Sequence, residues 1–245
     1  MSVQPLVLQS FNAATLGLAL RQGWQLANAT RGVSIVYSLL FVLGGALIGG
    51  LLLWQGWLPF MLAAAGAFML IGPVLLAGFF GIADAWERER QADSGAVLAG
   101  FRAAAPVLWV LALVCALLFM IFITDAAILY AYMVGGEPVS GWTAAGVERF
   151  VLWAAVSGAV VALLLFAVSA FAVPLLCERR CGLVAAVATS VRLVLGNLPW
   201  SLLWGALLAA LLITSALLLP LLPLTLPWLA YASRDLYRRV LPAGV

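Results

Sequence analysis

Residues 72–106 of the chain read GPVLLAGFFGIADAWERERQADSGAVLAGFRAAAP, and this stretch decides the fold. An apolar segment that contains Pro73 ends at Asp84, the densest charge cluster of the sequence follows, and a short amphipathic segment leads to Pro106. An apolar segment that ends in a group of charges is typical of a transmembrane helix where it leaves the hydrocarbon. The stretch therefore predicts a membrane protein with an aqueous loop at this point.

The composition of the whole chain supports this interpretation. Of its 245 residues, 66% are hydrophobic and 9% are charged, whereas a soluble domain carries about 25% charged residues. The apolar segments are too long and cover too much of the sequence to be buried core helices. We therefore expect an all-α protein, a polytopic transmembrane helix bundle in which residues 1–245 form a single membrane domain.

The apolar segments predict six spans arranged in three hairpins. The spans lie near residues 33–53, 58–82, 106–133, 150–176, 199–218 and 219–233. The last two share one short apolar run that contains three prolines, so this pair is expected to be short or partly re-entrant. Amphipathic helices in the cytoplasmic interface are predicted at residues 11–31, 95–105 and 183–197.

The distribution of arginine predicts the orientation of the bundle. All twelve basic residues are arginines, and eleven of them lie before the first span, after the last, or in the loops at residues 84–105 and 177–197. Only Arg149 lies on the opposite side, and because positive loops remain in the cytoplasm, both termini are expected there. The net charge of +3 and the pI near 9.0 thus indicate topology, not the basic stripe of a nucleic-acid-binding protein.

The charge cluster provides the first candidate site. A docking surface for a partner protein would consist of Glu87, Arg88, Glu89 and Arg90. The alternative is a solvated helix extension whose charges pair along their own helix, as Asp84 would with Arg88 four residues later.

Asp125 provides the second candidate, because it is the only acidic residue of the third predicted span. A carboxylate within hydrocarbon is a candidate for ion or proton handling. Asp125 follows Pro106 by nineteen residues, which places it roughly 28 Å along a helix and near the far interface. An interfacial or helix-capping carboxylate is therefore the alternative.

The sequence argues against an enzyme and against a metal site. It contains no His and no Lys, and its acidic residues lie mostly at the predicted cytoplasmic rim, so the usual catalytic constellations cannot be built. Cys177 and Cys181 have C-x-x-x-C spacing, but two thiols without a histidine are half of a metal site. We expect no cofactor and no nucleic acid; the expected partners are the lipid bilayer and other membrane protein subunits.

Several short motifs carry a resemblance to a known family. They are GPVLLAG at residues 72–78, GFR at residues 100–102, PLL at residues 174–176 and YASRD at residues 231–235. In these motifs the chain resembles an uncharacterised family of small polytopic bacterial inner-membrane proteins, described only as predicted integral membrane proteins. The resemblance implies a bacterial inner-membrane location and six spans, and it implies no activity, ligand or catalytic residue.

Two functions fit these observations. The first is a non-catalytic accessory, scaffold or assembly component of a membrane complex, which would use the bundle surface and the cytoplasmic amphipathic helices. The alternative is a small transporter or channel for a lipid-like or apolar solute. An apparent repetition in the order of the helices and the prolines at 73, 174 and 227 favour the alternative. The lack of a polar pair within the predicted spans argues against a hydrophilic path.

Overall fold

The computed structural model describes residues 9–56, 58–133 and 144–242, except for the side chains of residues 58–71, 103–105, 133 and 144–147. The regular elements within these ranges are helices, so the all-α class is confirmed. The helices are α1 (Ala13–Ala29), α2 (Arg31–Trp54), α3 (Leu58–Glu89), α4 (Ser94–Met133), α5 (Ala144–Ser169), α6 (Ala172–Cys177), α7 (Leu183–Gly196), α8 (Leu198–Leu217) and α9 (Leu222–Val240), with a 3-10 turn at Leu219–Leu221.

Four helical segments in the described part of the chain are long and apolar enough to cross a membrane. They are Arg31–Trp54, Pro106–Tyr132, Glu148–Cys177 and Leu198–Leu217. These segments coincide with four of the six predicted spans. The predicted span at residues 58–82 is helical as part of α3, but most of its side chains lie outside the described residues. The polytopic helical bundle is thus confirmed, whereas the count of six spans is not.

The predicted span at residues 219–233 has different bounds in the structure. Its first residues form the 3-10 turn, and the remainder belongs to α9, which continues through Arg234 to Val240. The part of α9 before Arg234 is about 18 Å long, well short of the roughly 30 Å that a helix needs to cross the hydrocarbon. The apolar run ends at residue 233, but the helix does not, because its charged half finds partners inside the protein.

Helix α4 joins two elements that the sequence predicts as separate. The predicted interfacial helix at residues 95–105 and the predicted span at residues 106–133 form one helix of 40 residues with Pro106 inside it. Proline costs a helix one backbone hydrogen bond and clashes with the preceding turn. The candidate span begins at Pro106 as predicted, but the helix is not interrupted there, and the reason lies in how α3 supports α4 before the proline.

Helices α3 and α4 approach each other through small residues. A Cβ atom on Gly81 would collide with the carbonyl oxygen of Ala96, and one on Gly100 would collide with the carbonyl oxygen of Ala77. Glycine lets the two backbones come this close, and the contact holds the first turns of α4 against α3. This packing outweighs the local cost of Pro106.

The predicted span at residues 150–176 is divided by a turn at Ala170 and Phe171 into α5 and α6. Pro174 explains the position of the turn. Residue 174 of a continuous helix would donate its N–H to the carbonyl of Ala170, but proline has no N–H and its ring clashes there. The chain resumes as a helix when the N–H of Leu175 donates to the carbonyl of Phe171 at 3.2 Å.

Helix α1 covers the predicted amphipathic helix at residues 11–31, and α7 covers the one at residues 183–197. Asn12 caps α1 by accepting a hydrogen bond from the backbone N–H of Thr15 at 3.0 Å. The buried residues of α1 form one stripe: Leu16, Ala19, Gly23 and Ala27. That stripe packs on α9, where a Cβ on Gly23 would lie 2.6 Å from the backbone nitrogen of Ala232. The buried face of α1 is therefore covered by protein, and an interfacial position of α1 stays a prediction.

Candidate functional site

The best-developed polar site lies where the C-terminal half of α9 meets the end of α3. Arg234 of α9 is its centre, and only 4% of this side chain is exposed. Its guanidinium donates to both carboxylate oxygens of Glu87, at 2.6 and 3.0 Å, and to Asp84 one turn earlier on α3. A bidentate arginine–carboxylate pair is among the stronger charge-assisted contacts, so it fixes α9 on α3 in one register.

Arg238 extends the site to a third helix. It lies one turn after Arg234 and donates to Glu87 at 2.8 Å and to Glu178, which follows α6, also at 2.8 Å. The hydroxyl of Tyr237 donates to the other oxygen of Glu178 at 2.9 Å. The ends of α3 and α6 are therefore joined through the side chains of α9. We call Asp84, Glu87, Glu178, Arg234, Tyr237 and Arg238 the arginine network.

Arg180 closes the network on the C-terminal side. It donates to the hydroxyl of Tyr237 at 3.1 Å and to the backbone carbonyls of Leu241 and Pro242 at 2.6 and 2.8 Å. Its guanidinium carbon also lies 5.8 Å from the centre of the Tyr237 ring, within cation–π distance. The residues after α9 are thus held by the α6–α7 connection.

The electrostatics of the network keep Glu87 ionised. Burial raises the pKa of this carboxyl, but the hydrogen bonds and positive charges of Arg234 and Arg238 outweigh burial and lower the pKa from 4.5 to about 2. Burial, above all, raises the pKa of the Tyr237 hydroxyl, which therefore remains a hydrogen-bond donor. The arrangement is a set of matched fixed charges, which suits a structural or docking role and not proton transfer near neutral pH.

The structure divides the predicted docking residues into two groups. Glu87 belongs to the arginine network, although 45% of its side chain remains exposed. The exposed group contains Arg88, Glu89 and Arg90, which form no ion pair with other described residues. The alternative prediction, in which Asp84 pairs along its own helix, is wrong because Asp84 pairs across to α9.

The exposed group borders a recess of about 720 Å³ at the α3–α4 connection. The connection is short and fixed at both ends. Helix α3 ends at Glu89, and the next residue, Arg90, has a left-handed φ of 55° and donates its N–H to the carbonyl of Trp86 at 3.0 Å. Asp93 caps α4 by accepting from the N–H of Ala96 at 3.0 Å. The rim of the recess therefore has a defined backbone. We call Arg88, Glu89, Arg90 and this recess the corner surface.

Asp125 lies on α4 and accepts a hydrogen bond from the hydroxyl of Ser157 on α5. The middle of the candidate span Pro106–Tyr132 falls near residue 119, so Asp125 is roughly 9 Å from the middle along the helix axis. The sequence showed no polar pair within a predicted span, but the structure forms one between two neighbouring spans. The predicted ion- or proton-handling role of Asp125 stays a prediction.

A buried hydroxyl cluster joins α9 to the junction of α1 and α2. The hydroxyl of Tyr231 lies 2.6 Å from that of Ser34 and accepts a hydrogen bond from Thr30 at 3.3 Å. Thr30 and Ser34 lie 2.9 Å apart, and all three side chains are buried. Neither this cluster nor the roles of Arg234 and Arg238 were predicted from the sequence. Their spacing was a signal, because two arginines four apart on one helix face match two acids three apart on another.

Residues 60–178 match the model of a family described as "Predicted integral membrane protein (DUF2189)". The match confirms the resemblance to an uncharacterised family of integral membrane proteins. It runs from α3 to the end of α6, so it includes the acids of the arginine network and ends before α9. No curated protein and no solved structure matches the chain. The chain is thus an integral membrane protein with several apolar helices.

Proposed function

We propose that this protein is a non-catalytic accessory, scaffold or assembly component of a membrane complex, and that a partner subunit docks on the corner surface. The observation that supports this most is the division of one charge cluster. The acids that face α9 are engaged in ion pairs, whereas Arg88, Glu89 and Arg90 are exposed around a recess. Charged side chains that form no ion pair within the fold, and that project from a fixed backbone, are suited to recognising another protein.

The arginine network supports such a role through rigidity. It anchors the end of α3 to two other helices, so the backbone that carries the corner surface is held before a partner arrives. A preorganised surface loses less conformational entropy on binding than a mobile one. In this proposal the protein uses neither a cofactor nor nucleic acid, and the arginines of the network stabilise the bundle.

The proposed topology has six crossings in three hairpins, formed by α2 with α3, α4 with α5, and α8 with α9. The last hairpin is short and partly re-entrant, and both termini lie on the cytoplasmic side of a bacterial inner membrane. Contacts at one end of the bundle support it: Trp228 donates to the carbonyl of Leu20 at 2.9 Å, and Gln9 donates to that of Val240 at 3.1 Å. With the arginine network, these contacts collect the arginine-bearing segments at one end.

Accessibility tests this orientation. In inside-out vesicles the cytoplasmic face of the membrane is on the outside. An epitope tag inserted after residue 140, in the predicted periplasmic loop, is expected to be protected from a protease that is added to such vesicles. The same tag after Gln91, at the α3–α4 connection, is expected to be cleaved. The opposite pattern contradicts the proposed topology.

Crosslinking in native membranes tests the docking surface. A photo-crosslinking amino acid at Ala85, which lines the recess, is expected to capture a partner subunit in the wild-type background. Reversing the three charges (Arg88→Glu, Glu89→Arg and Arg90→Glu) is expected to abolish the crosslink without lowering the melting temperature. The matched control is Arg192→Glu, an exposed arginine of α7 on the same side.

Two outcomes contradict the proposal. In the first, the triple variant retains the crosslinked partner at the level of the Arg192→Glu control. In the second, the wild-type protein yields only uncrosslinked monomer from every position around the recess.

The Asp125–Ser157 contact favours one alternative, a small transporter or channel for a lipid-like or apolar solute. A polar contact between two spans is where a solute or proton path would pass. Reconstitution into liposomes tests this alternative. Flux or lipid scrambling above empty vesicles that is lost in Asp125→Asn, but kept in Thr124→Val, would support a transporter; the hydroxyl of Thr124 bonds only within α4, to Met120.

A further inference from the structure

An apolar groove of about 520 Å³ runs between α2 and the corner where α8 turns into α9. One wall is formed by Ile35, Leu39 and Val42 of α2, and the other by Pro220, Pro223 and Leu224. Prolines in the 3-10 turn and in the first turn of α9 prevent a regular helix from packing along α2 here. The groove is therefore left open to the surroundings of the bundle.

The length of the groove matches one leaflet of a bilayer. It follows α2 from Ile35 to Ala46, which is about 16 Å of helix, and half of the hydrocarbon core is roughly 15 Å thick. This part of α2 lies within a candidate span. The groove is thus expected to face acyl chains.

The width of the groove favours an occupant that is narrower than a helix. Even when all the space outside the lining atoms is counted, about 930 Å³, a length of about 16 Å gives a cross-section of roughly 58 Å², or about 9 Å across, whereas a helix with its side chains is about 10–12 Å wide. An extended hydrocarbon chain is narrower than a helix. A protein strand would leave backbone hydrogen-bonding groups unsatisfied against these apolar walls.

A cationic side chain stands at one end of the groove. Arg31 is exposed, lies one turn before Ile35 and shares its side of α2. Its guanidinium donates to the side-chain oxygen of Asn28 at 2.6 Å, which orients it while other N–H groups remain for a phosphate. The groove therefore has an apolar channel of one-leaflet length and an anion-binding group at the interface.

We propose that this groove binds one acyl chain of an anionic phospholipid whose headgroup phosphate is held by Arg31. The bound lipid fills the space that the prolines leave between α2 and the α8–α9 corner. This site is separate from the corner surface and does not depend on a partner subunit.

Native mass spectrometry tests the proposal on the purified full-length protein. The protein in mild detergent is titrated with phosphatidylglycerol and, in a parallel series, with phosphatidylcholine of the same chain length. One tightly retained phosphatidylglycerol per protein is expected. Arg31→Gln is expected to weaken phosphatidylglycerol by about fivefold, the effect of one arginine near an anionic headgroup, and to weaken phosphatidylcholine less, because its quaternary ammonium offsets the charge of the phosphate.

A matched pair of variants tests the groove itself. Leu39→Trp fills the channel, whereas Leu40→Trp places the same ring on the next residue of α2, which is exposed and outside the groove. Because the indole ring occupies the space in which the acyl chain would pack, Leu39→Trp is expected to lower retention of both lipids by at least about tenfold. Size-exclusion profiles and melting temperatures confirm that both variants are folded.

Equal retention by the Leu39→Trp and Leu40→Trp proteins overturns the proposal. So does an equal affinity of the wild-type protein for phosphatidylglycerol and phosphatidylcholine. A lipid-free dimer whose formation is blocked by Leu39→Trp would assign the groove to a second copy of the chain instead.

Discussion

Helices α2 and α9 are neighbours in the bundle and differ in which kinds of side chain they bury and expose. Helix α2 carries no charge after Arg31 and buries its two serines, and many of its leucines are exposed, including Leu40 and Leu47. Helix α9 carries Arg234 and two buried tyrosines, and packs against α1, α2, α3 and α8. The helix with more charges is thus the inner one.

The difference shows which surroundings each helix meets: lipid for α2, and mainly other helices for α9. Apolar side chains gain nothing by leaving lipid for a protein interior, so leucines can remain on the outside of α2. Charges and hydroxyls have no partners in hydrocarbon, so those of α9 pair inside the protein or near its aqueous end. Substitutions on α9 and its contacts should therefore cost far more stability than substitutions on the lipid-facing helices.

The largest effect is expected at Arg234. Arg234→Met removes a buried guanidinium and its charge-assisted hydrogen bonds to the half-exposed carboxylates of Asp84 and Glu87, and the loss of such bonds is expected to cost about 3 kcal/mol. Unfolding in detergent, followed by circular dichroism during denaturant titration, measures the loss. Arg239→Gln is the control, because among the described residues Arg239 forms an ion pair only with Asp235 on its own helix, and its loss should cost about 0.5 kcal/mol. Similar losses for the two variants would show that α9 is not the inner helix.

A smaller effect is expected where two backbones meet. Gly81→Ala places a methyl group against the Ala96 carbonyl, and overpacking of this kind costs about 2 kcal/mol. Gly49→Ala on α2 meets open space and should be neutral or stabilising, by up to about 1 kcal/mol. Thermal unfolding followed by tryptophan fluorescence compares the two. Destabilisation by Gly49→Ala as large as that by Gly81→Ala would contradict the difference between the two helices.

Acid should weaken the arginine network within a defined pH range. The pKa of Glu87 is lowered from 4.5 to about 2 in the folded protein, so its contribution to stability is complete above about pH 4.5 and is lost as the pH falls through that range toward 2. Glu87→Gln should flatten this part of the melting temperature profile. The exposed Glu89→Gln serves as the control, and an unchanged slope in Glu87→Gln would argue against the network.

The smallest effect is expected between two spans. Ser157→Ala removes the hydrogen bond to Asp125, and polar contacts between transmembrane helices contribute about 0.6 kcal/mol on average and rarely more than about 1.7 kcal/mol. Thr124→Val is the control, because its hydroxyl bonds within α4. A double-mutant cycle of Ser157→Ala with Asp125→Asn measures the coupling. A loss as large as that of Arg234→Met would mean that Asp125 is structurally as important as the arginine network.

The sequence predicts the spanning helices well because lipid imposes length and composition locally. The bounds of α2 and α8 fall within two residues of the predicted spans. Contacts between distant segments are not predicted by local composition, as Pro106 and Pro174 illustrate. Pro174 interrupts a segment that the sequence predicts as one continuous span, whereas Pro106, a predicted boundary, does not interrupt its helix, because α3 supports α4 through Gly81 and Gly100. The sequence around Pro106 does not show that Gly100 meets a residue of α3.

The candidate site was predictable only in part for the same reason. Glu87 and its neighbours were identified from their charge, and their exposed members do border a recess. Their partner Arg234 lies 147 residues later in the chain. A single sequence gives the charges of both segments but not which of them meet, so the network could only be found in three dimensions.

The packing of α1 on α9 has a consequence for biogenesis. The first helix of the sequence packs against the last one through Gly23 and Ala232. Contacts of such long sequence separation form late in folding. During membrane insertion, Asp84 and Glu87 remain unpaired until the final helix, which carries Arg234 and Arg238, has been synthesised. Nascent chains that lack α9 should thus present unpaired acids and an uncovered α1 to membrane proteases, which gives the cell a way to recognise unfinished copies.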